Sequence, residues 1–288
     1  MGCDNSNLHR AKAAQDDEFY TMLEDIEKEL DHYKGNFINK TIYCNCDDYQ
    51  VSNFFRYFGE NFENFHLKKL IATCYKGGTG RAVKAVMTDK NTVDVTELTG
   101  DGSFDSPECI ELLKEADLIV TNPPFSIIRR LFDIFLEYDK KFIIVGPTTA
   151  VQNKVLLPLM QSGKLQVGIN YIKDFINHGQ IKKVGAVWYA TVPNDVPRKN
   201  LNLIKEYYPI RYPKYDNYDA IECNDSNAIP RDYYDVMGVP ISYMKFHNPE
   251  QFEILGISDN IQVNGKELFV RLFIRRKHRD EDQEISLW

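Results

Sequence analysis

The residues in this chain best suited to chemistry are Asn122-Pro123-Pro124-Phe125. The Asn122 side-chain oxygen and the Pro123 carbonyl are two hydrogen-bond acceptors on a backbone that two consecutive prolines lock and strip of N–H groups. Two such acceptors suit an amino group conjugated to an aromatic ring. The lone pair of that nitrogen is delocalised, and it becomes nucleophilic only when acceptors draw its hydrogens out of the ring plane. This is electrostatic preorganisation rather than general-base catalysis. Phe125 adds a face on which a base turned out of its duplex can stack. Taken alone, the four residues also fit an ordinary strand-ending turn, because Asn-Pro is a common turn starter. Loops of this chemistry also serve amino groups on guanine in RNA and on glutamine in proteins.

The surrounding elements have to place this loop. Residues 117–121, Asp-Leu-Ile-Val-Thr, carry the pattern of a buried strand, and residues 126–138 that of a helix. Further strands are expected at 41–44, 67–74 and 141–145, with helices over 52–65, 106–116 and 127–138. Strands alternating with helices give a parallel sheet wound by right-handed crossovers, which holds ligands outside the carboxyl ends of its strands. Segments 165–172 and 184–192, separated by a polar stretch containing His178-Gly179, suit an antiparallel hairpin at a sheet edge. Residues 16–33 place Phe19, Met22, Leu23, Ile26 and Leu30 at helical spacing. The span 193–230 is rich in Asn, Asp, Pro and Tyr and reads as loops, so a domain change is expected near Val196.

A cofactor pocket belongs at the ends of the earlier strands. Asp47 and Asp48 follow the first of these, with Ser52 as a helix N-cap and Phe54 just inside the helix. Backbone N–H groups and a carboxylate there suit the amino-acid end of S-adenosylmethionine. Asp101 and Phe104, within Gly100-Asp101-Gly102-Ser103-Phe104, offer an acceptor for an adenine amino group and a ring to pack on it. Taken alone, a solvated turn is the better account of Asp47 and Asp48, and a flexible polar loop is an equal account of residues 100–104. Cys44, Cys46 and Cys74 lack the paired spacing of a metal site and read as small core residues, so no metal is expected.

The chain has 288 residues, 43% of them hydrophobic, which is enough for a sizeable core. It has no apolar run of the roughly 20 residues that a membrane span needs and no secretory leader, so a soluble intracellular protein with reduced thiols is expected. The formal net charge of -7 counts against a nucleic-acid partner, but basic residues gather late, at Arg271, Arg275, Arg276 and Lys277. Alternation over 268–276 gives Phe269, Arg271, Phe273 and Arg275 one face, a pattern suited to nucleic acid and equally to a sheet with a charged outer face.

Taken together, the segments resemble the EcoRI-type adenine-specific DNA methyltransferases of phage and bacterial modification systems. The resemblance runs through Asp17-Glu18-Phe19-Tyr20-Thr21, Tyr43-Cys44-Asn45-Cys46-Asp47-Asp48, Ser52-Asn53-Phe54, residues 100–104 and 117–126. It continues through residues 238–242, 252–256 and the basic strand after Asn264-Gly265-Lys266. It implies an α/β fold with a Rossmann-like class I methyltransferase sheet at 37–195, a cofactor-capping segment at 1–36 and a target-recognition region at 196–288. Phe19, Tyr20 and Thr21 would help to enclose S-adenosylmethionine, and Asn122 would lie beside it. The partner implied is double-stranded DNA in the cytoplasm of a bacterial or phage-infected cell, with any cognate restriction endonuclease not needed for activity. Two departures stand out: the Phe-x-Gly-x-Gly loop is replaced by Ser52 and Phe54, and no acidic residue for the cofactor ribose follows Leu70-Ile71-Ala72-Thr73-Cys74.

Overall fold

A computed structural model describes residues 20–76, 81–177 and 180–277. The chain divides into two compact units, one of residues up to Ala150 with Val167–Asp195, the other of Val151–Gln166 with the residues from Val196. The segment expected at 37–195 therefore contains a stretch that belongs with the second unit.

The first unit is built on one mixed sheet. Its strands in chain order are β1 (Tyr20–Thr21), β2 (Thr41–Cys44), β3 (Lys69–Thr73), β4 (Val83–Asp89), β5 (Thr92–Glu97) and β6 (Leu118–Thr121). They are followed by β7 (Phe142–Pro147), the short β8 (Gln166–Val167), β9 (Ile172–Asn177) and β10 (Gln180–Ala190). The order across the sheet is β1-β9-β10-β7-β6-β2-β3-β4-β5, with β8 beside β10. Strands β3, β2, β6 and β7 are parallel, so their carboxyl ends share one edge of the sheet. Helices α1 (Leu23–Leu30), α2 (Asn53–Glu60), α3 (Pro107–Glu115) and α4 (Ile128–Glu137) belong to the same unit. Phe54, Phe55, Tyr57 and Phe58 of α2 are buried, each worth roughly 1.5–3 kcal/mol in apolar burial, and Phe58 meets Phe37 edge-on at 5.1 Å.

Three expectations change. Phe19 and the start of the helix expected at 16–33 lie outside the described residues. Tyr20 and Thr21 are strand rather than helix, because they pair with Ile176 and Phe175 of β9. β1 is thus the outer strand beyond the β9–β10 hairpin, and the antiparallel hairpin expected at the edge lies one strand in. The strand expected at 165–172 is interrupted because the buried Glu29 carboxylate takes the N–H groups of Ile169 and Asn170, at 3.0 and 2.7 Å. Those groups are lost to a ladder, and Gly168 leaves the space the carboxylate needs, since a Cβ there would lie 2.2 Å from Glu29 Oε1. The β4–β5 hairpin departs from expectation: every residue of β5 is exposed, so the short alternation of Val93 and Val95 marks no buried face.

The second unit contains α5 (Leu157–Gln161), β11 (Ile221–Glu222), β12 (Met237–Pro240), β13 (Phe252–Ser258), β14 (Ile261–Val263), β15 (Lys266–Leu268) and β16 (Arg271–Arg276). Four of the strands form a sheet in the order β11-β12-β16-β13, and β14 and β15 form a separate hairpin. Central in this sheet, β16 has Arg271, Leu272, Phe273 and Ile274 buried in succession, so both of its faces are covered.

Candidate active site

The carboxyl ends of β2, β3 and β6 bring together three segments that are far apart in sequence. After β2 the chain turns through Asn45 to Asp48, and the N–H of Asp47 donates to Thr73 O at the end of β3, at 3.1 Å. Ser52 caps α2, its hydroxyl oxygen accepting from Phe54 N and Phe55 N at 3.1 and 3.2 Å. With its lone pairs so used, the Ser52 hydroxyl donates to Asp47 Oδ1 at 2.7 Å. Thr121, the last residue of β6, donates from its hydroxyl to Asp47 Oδ2 at 2.6 Å, and the N–H of Asn122 donates to the same carboxylate. Asp47 is buried, and desolvation pushes its carboxyl up to about 6 against the pull of these three donors.

Beyond Asn122 the chain passes through the two prolines, Pro124 at φ -52° and ψ 131°, into a single 3-10 turn, Phe125–Ile127, which feeds α4. Pro124 O accepts from Ile127 N at 3.1 Å, so the loop is closed on its downstream side as well. The Asn122 side-chain oxygen is buried, and Phe125 is half-buried with its ring edge-on to Phe175.

The residues expected at the cofactor fall into different settings. Thr21 is 3% exposed, and its carbonyl accepts from Asn53 Nδ2 at the start of α2, at 2.8 Å. Asp48 makes an ion pair with Lys76 at 2.6 Å and accepts from Gln50 N at 3.1 Å. Asp101 accepts from Ser103 N at 2.9 Å, and its carbonyl accepts from Lys76 N at 3.1 Å. Gly102 has φ +76°, and a Cβ there would lie 2.4 Å from Cys74 O, so only glycine lets this loop close on the end of β3. Phe104 is buried with the Arg130 guanidinium over its ring at 5.7 Å. Phe54 is corrected from cofactor contact to core: it is 2% exposed and packs edge-on against Trp188 at 5.8 Å. Asp47 also faces inward, its oxygens engaged by protein donors.

No sequence pattern marks Lys76, three residues beyond the end of β3, or Asn45, just after β2. Asn45 is 2% exposed, and its Oδ1, like Thr21 Oγ1, is buried with no hydrogen-bond partner among the described residues. Buried acceptors with no partner among the described residues are costly unless other donors, such as those of a ligand, reach them. Among the described residues no group of three His, Cys, Asp or Glu side chains is arranged to hold a metal ion. No helix among them is long and apolar enough to cross a membrane.

The basic residues of β16 need a second correction. Arg271 is 9% exposed and its guanidinium is turned into the unit, donating to Glu222 at 2.7–3.0 Å and to Phe269 O at 2.8 Å. Phe273, on the same side, is buried with Tyr218 stacked on it at 3.9 Å. Alternation predicted an outward face, but in a central strand both faces are inside. Arg275 is exposed and ion-paired with Glu253 at 2.6 Å, Arg276 lies over Tyr234 at 4.8 Å, and Lys277 is exposed.

Comparison with known proteins gives a single answer. Residues 7–286 match the family described as adenine-specific methyltransferase EcoRI. The chain is 38% identical to the Type II methyltransferase M.EcoRI of Escherichia coli, over 95% of this chain and 97% of that protein. It is 33% identical to M.MgeORF184P of Mycoplasma genitalium, over 94% and 99%, and 32% identical to M.MpnI of Mycoplasma pneumoniae, over 95% and 92%. No solved structure matches the chain.

Proposed function

The chain belongs to the family of the adenine-specific methyltransferase EcoRI, and we propose that it methylates the exocyclic amino group of a flipped-out adenine at a specific site in double-stranded DNA. The observation that carries the mechanism is the Asn122 loop, fixed upstream by Asp47 and downstream by the turn at Pro124. The Asn122 side-chain oxygen and the Pro123 carbonyl accept the two amino hydrogens of adenine, and the ring of Phe125 stacks on the base. The acceptors are in place before the base arrives, so little reorganisation is needed when charge develops on the nitrogen.

S-adenosylmethionine is the methyl donor in this reading, and when bound it supplies an electrophilic methyl group on a sulfonium centre. The open buried acceptors of Thr21 and Asn45 fit a ligand rich in ammonium, hydroxyl and amino donors. Thr21, Asn45, Asp48 and the Asp101–Phe104 loop would hold it, with Tyr20 enclosing it from β1. The order β3-β2-β6-β7, parallel and followed by antiparallel β10, supports a Rossmann-like methyltransferase sheet with its ligands at the carboxyl edge. The unit that includes the residues from Val196 serves target recognition, with Arg275, Arg276 and Lys277 as its candidate phosphate contacts. The enzyme works in the cytoplasm of a bacterial or phage-infected cell, and its activity needs no partner nuclease.

The test is transfer of labelled methyl groups from S-adenosylmethionine, offered duplex DNA, RNA and protein extract in parallel. Label in duplex DNA recovered as N6-methyladenine is the expected result. Label found only in RNA guanine or protein glutamine would move the acceptor elsewhere.

A further inference from the structure

The Asp47 carboxylate is buried and bonded to both halves of the site. Its Oδ1 is bound by the hydroxyl of the α2 cap, Ser52, and its Oδ2 by the hydroxyl of Thr121, with the Asn122 N–H as a third donor. These three donors come from two separate elements, and Asp47 itself ends a third, anchored by its own N–H to Thr73 O. A carboxylate has only about four acceptor directions in its plane, and three are taken.

From this geometry we infer that Asp47 is a positioning residue for methyl transfer: it sets the Asn122 loop relative to the ends of β2 and α2 and does not bind the cofactor. This rests on the proposed methyltransferase reading and assigns a separate role within it. The physical ground is the angular tolerance of the reaction. Two acceptors must meet two hydrogens on one nitrogen, and a displacement of about 1 Å in such an arrangement costs on the order of 100-fold in rate. Thr121 and Asn122 are consecutive, so one carboxylate bonded to a side chain of the first and the backbone of the second fixes both the position and the twist of the peptide between them.

The ionised form is the one that fits. An ionised carboxylate makes charge-assisted bonds to all three donors, whereas a protonated one has to place its hydrogen in the one open direction and loses the charge that strengthens the other bonds. The other titratable groups around Asp47 are its neighbour Asp48, ion-paired with Lys76, and the Cys44 thiol, which burial holds well above its ordinary range.

The experiment compares Thr121→Val with Thr121→Ser. Valine keeps the volume and loses the hydroxyl, while serine keeps the hydroxyl and loses the methyl group. The expected result is a saturated rate lowered roughly 10- to 100-fold in Thr121→Val and near the parent value in Thr121→Ser. S-adenosylmethionine affinity by calorimetry should stay within about threefold in both, because neither change reaches a cofactor contact. Asp47→Asn is the second variant: its saturated rate should fall, with the cofactor affinity kept and the acid limb of the pH–rate profile removed. A parent-like rate in Thr121→Val would overturn the inference. So would a tenfold or greater loss of cofactor affinity in Asp47→Asn at an unchanged saturated rate, because that marks a direct ligand. A parent enzyme that methylates no DNA at all would strike the proposed function instead, before any variant is made.

Discussion

Phe125 and Phe175 meet edge to face, their ring centroids 6.2 Å apart at 90°, which ties the residue after the two prolines to strand β9 in the antiparallel half of the sheet. Phe175 is fully buried and Phe125 is half-buried, so one side of the Phe125 ring is fixed by packing and the rest can receive a base. Aromatic stacking on a base is worth roughly 1–3 kcal/mol, or about 5- to 150-fold. Phe125→Ala is therefore expected to lower single-turnover methyl transfer by that factor, and Phe125→Trp to keep it within a few-fold. Equal losses in the two variants would mean that the ring packs the loop and does not stack.

Asn122→Ala removes one of the two proposed acceptors without touching the backbone N–H that reaches Asp47. The loss of one preorganised partner at a developing charge typically costs about 100- to 1,000-fold in rate. Thermal stability and S-adenosylmethionine affinity are expected to stay near parent values, and calorimetry on the same preparation checks both. A matching fall in cofactor affinity would place Asn122 in binding rather than in chemistry.

Asp47 should give activity and stability opposite pH trends. Burial raises its carboxyl from 3.8 to about 6, so folding favours the protonated acid. Its contribution to stability is full below about pH 4 and is lost as pH rises through about 6, a change on the order of 3 kcal/mol. The saturated rate, which needs the carboxylate, is expected to rise over the same window. Thermal midpoints and rates measured from pH 4.5 to 8 test this, with Asp47→Asn expected to flatten both trends.

Strands β2, β3, β6 and β7 were legible because each is a short apolar run buried on both faces, and Asn122 to Phe125 because two prolines after such a run leave few conformations. The unread parts share a physical cause. β5 buries nothing, so its alternating Val93 and Val95 mark no core face, while β16 alternates as an outer strand does but is covered on both sides by tertiary packing. Asp47 looked like any carboxylate in a turn. Only its bonds to Ser52 and Thr121 reveal its orientation, and Thr121 lies 74 residues away in sequence.

Gly102 tests the closure of the Asp101–Phe104 loop proposed to hold the cofactor. Its φ of +76° disfavours any side chain, and a Cβ would stand 2.4 Å from Cys74 O and 2.8 Å from the Ala82 side chain. Gly102→Ala is expected to destabilise the protein by about 2 kcal/mol or more and to weaken S-adenosylmethionine binding as the Asp101 to Phe104 loop moves off the end of β3. Gly265 serves as the control. It also has positive φ, at +72°, but nothing lies within 4 Å of its added Cβ, so Gly265→Ala should cost only about 1 kcal/mol and leave cofactor affinity unchanged.

Arg271 separates a buried structural arginine from a DNA contact. Its guanidinium binds Glu222, which is 3% exposed and also accepts from the Tyr215 hydroxyl, so Arg271→Ala leaves a carboxylate buried without its counter-charge. Breaking one partner of such a pair costs roughly 3–5 kcal/mol, whereas replacing both with apolar side chains of similar volume is often neutral. Denaturant unfolding should therefore show a large loss for Arg271→Ala and substantial recovery for Arg271→Met combined with Glu222→Leu. Arg275→Ala, at an exposed pair with Glu253, should fall within about 1 kcal/mol of the parent. The DNA measurement should run the other way: Arg275→Ala and Lys277→Ala lower the salt dependence of binding, each by about one released counterion if it contacts a phosphate. The refolded Arg271→Met, Glu222→Leu protein should keep the parent salt dependence. If that double variant loses salt dependence while unfolding like the parent, Arg271 reaches the phosphate backbone after all, and the buried orientation is not the one that meets DNA.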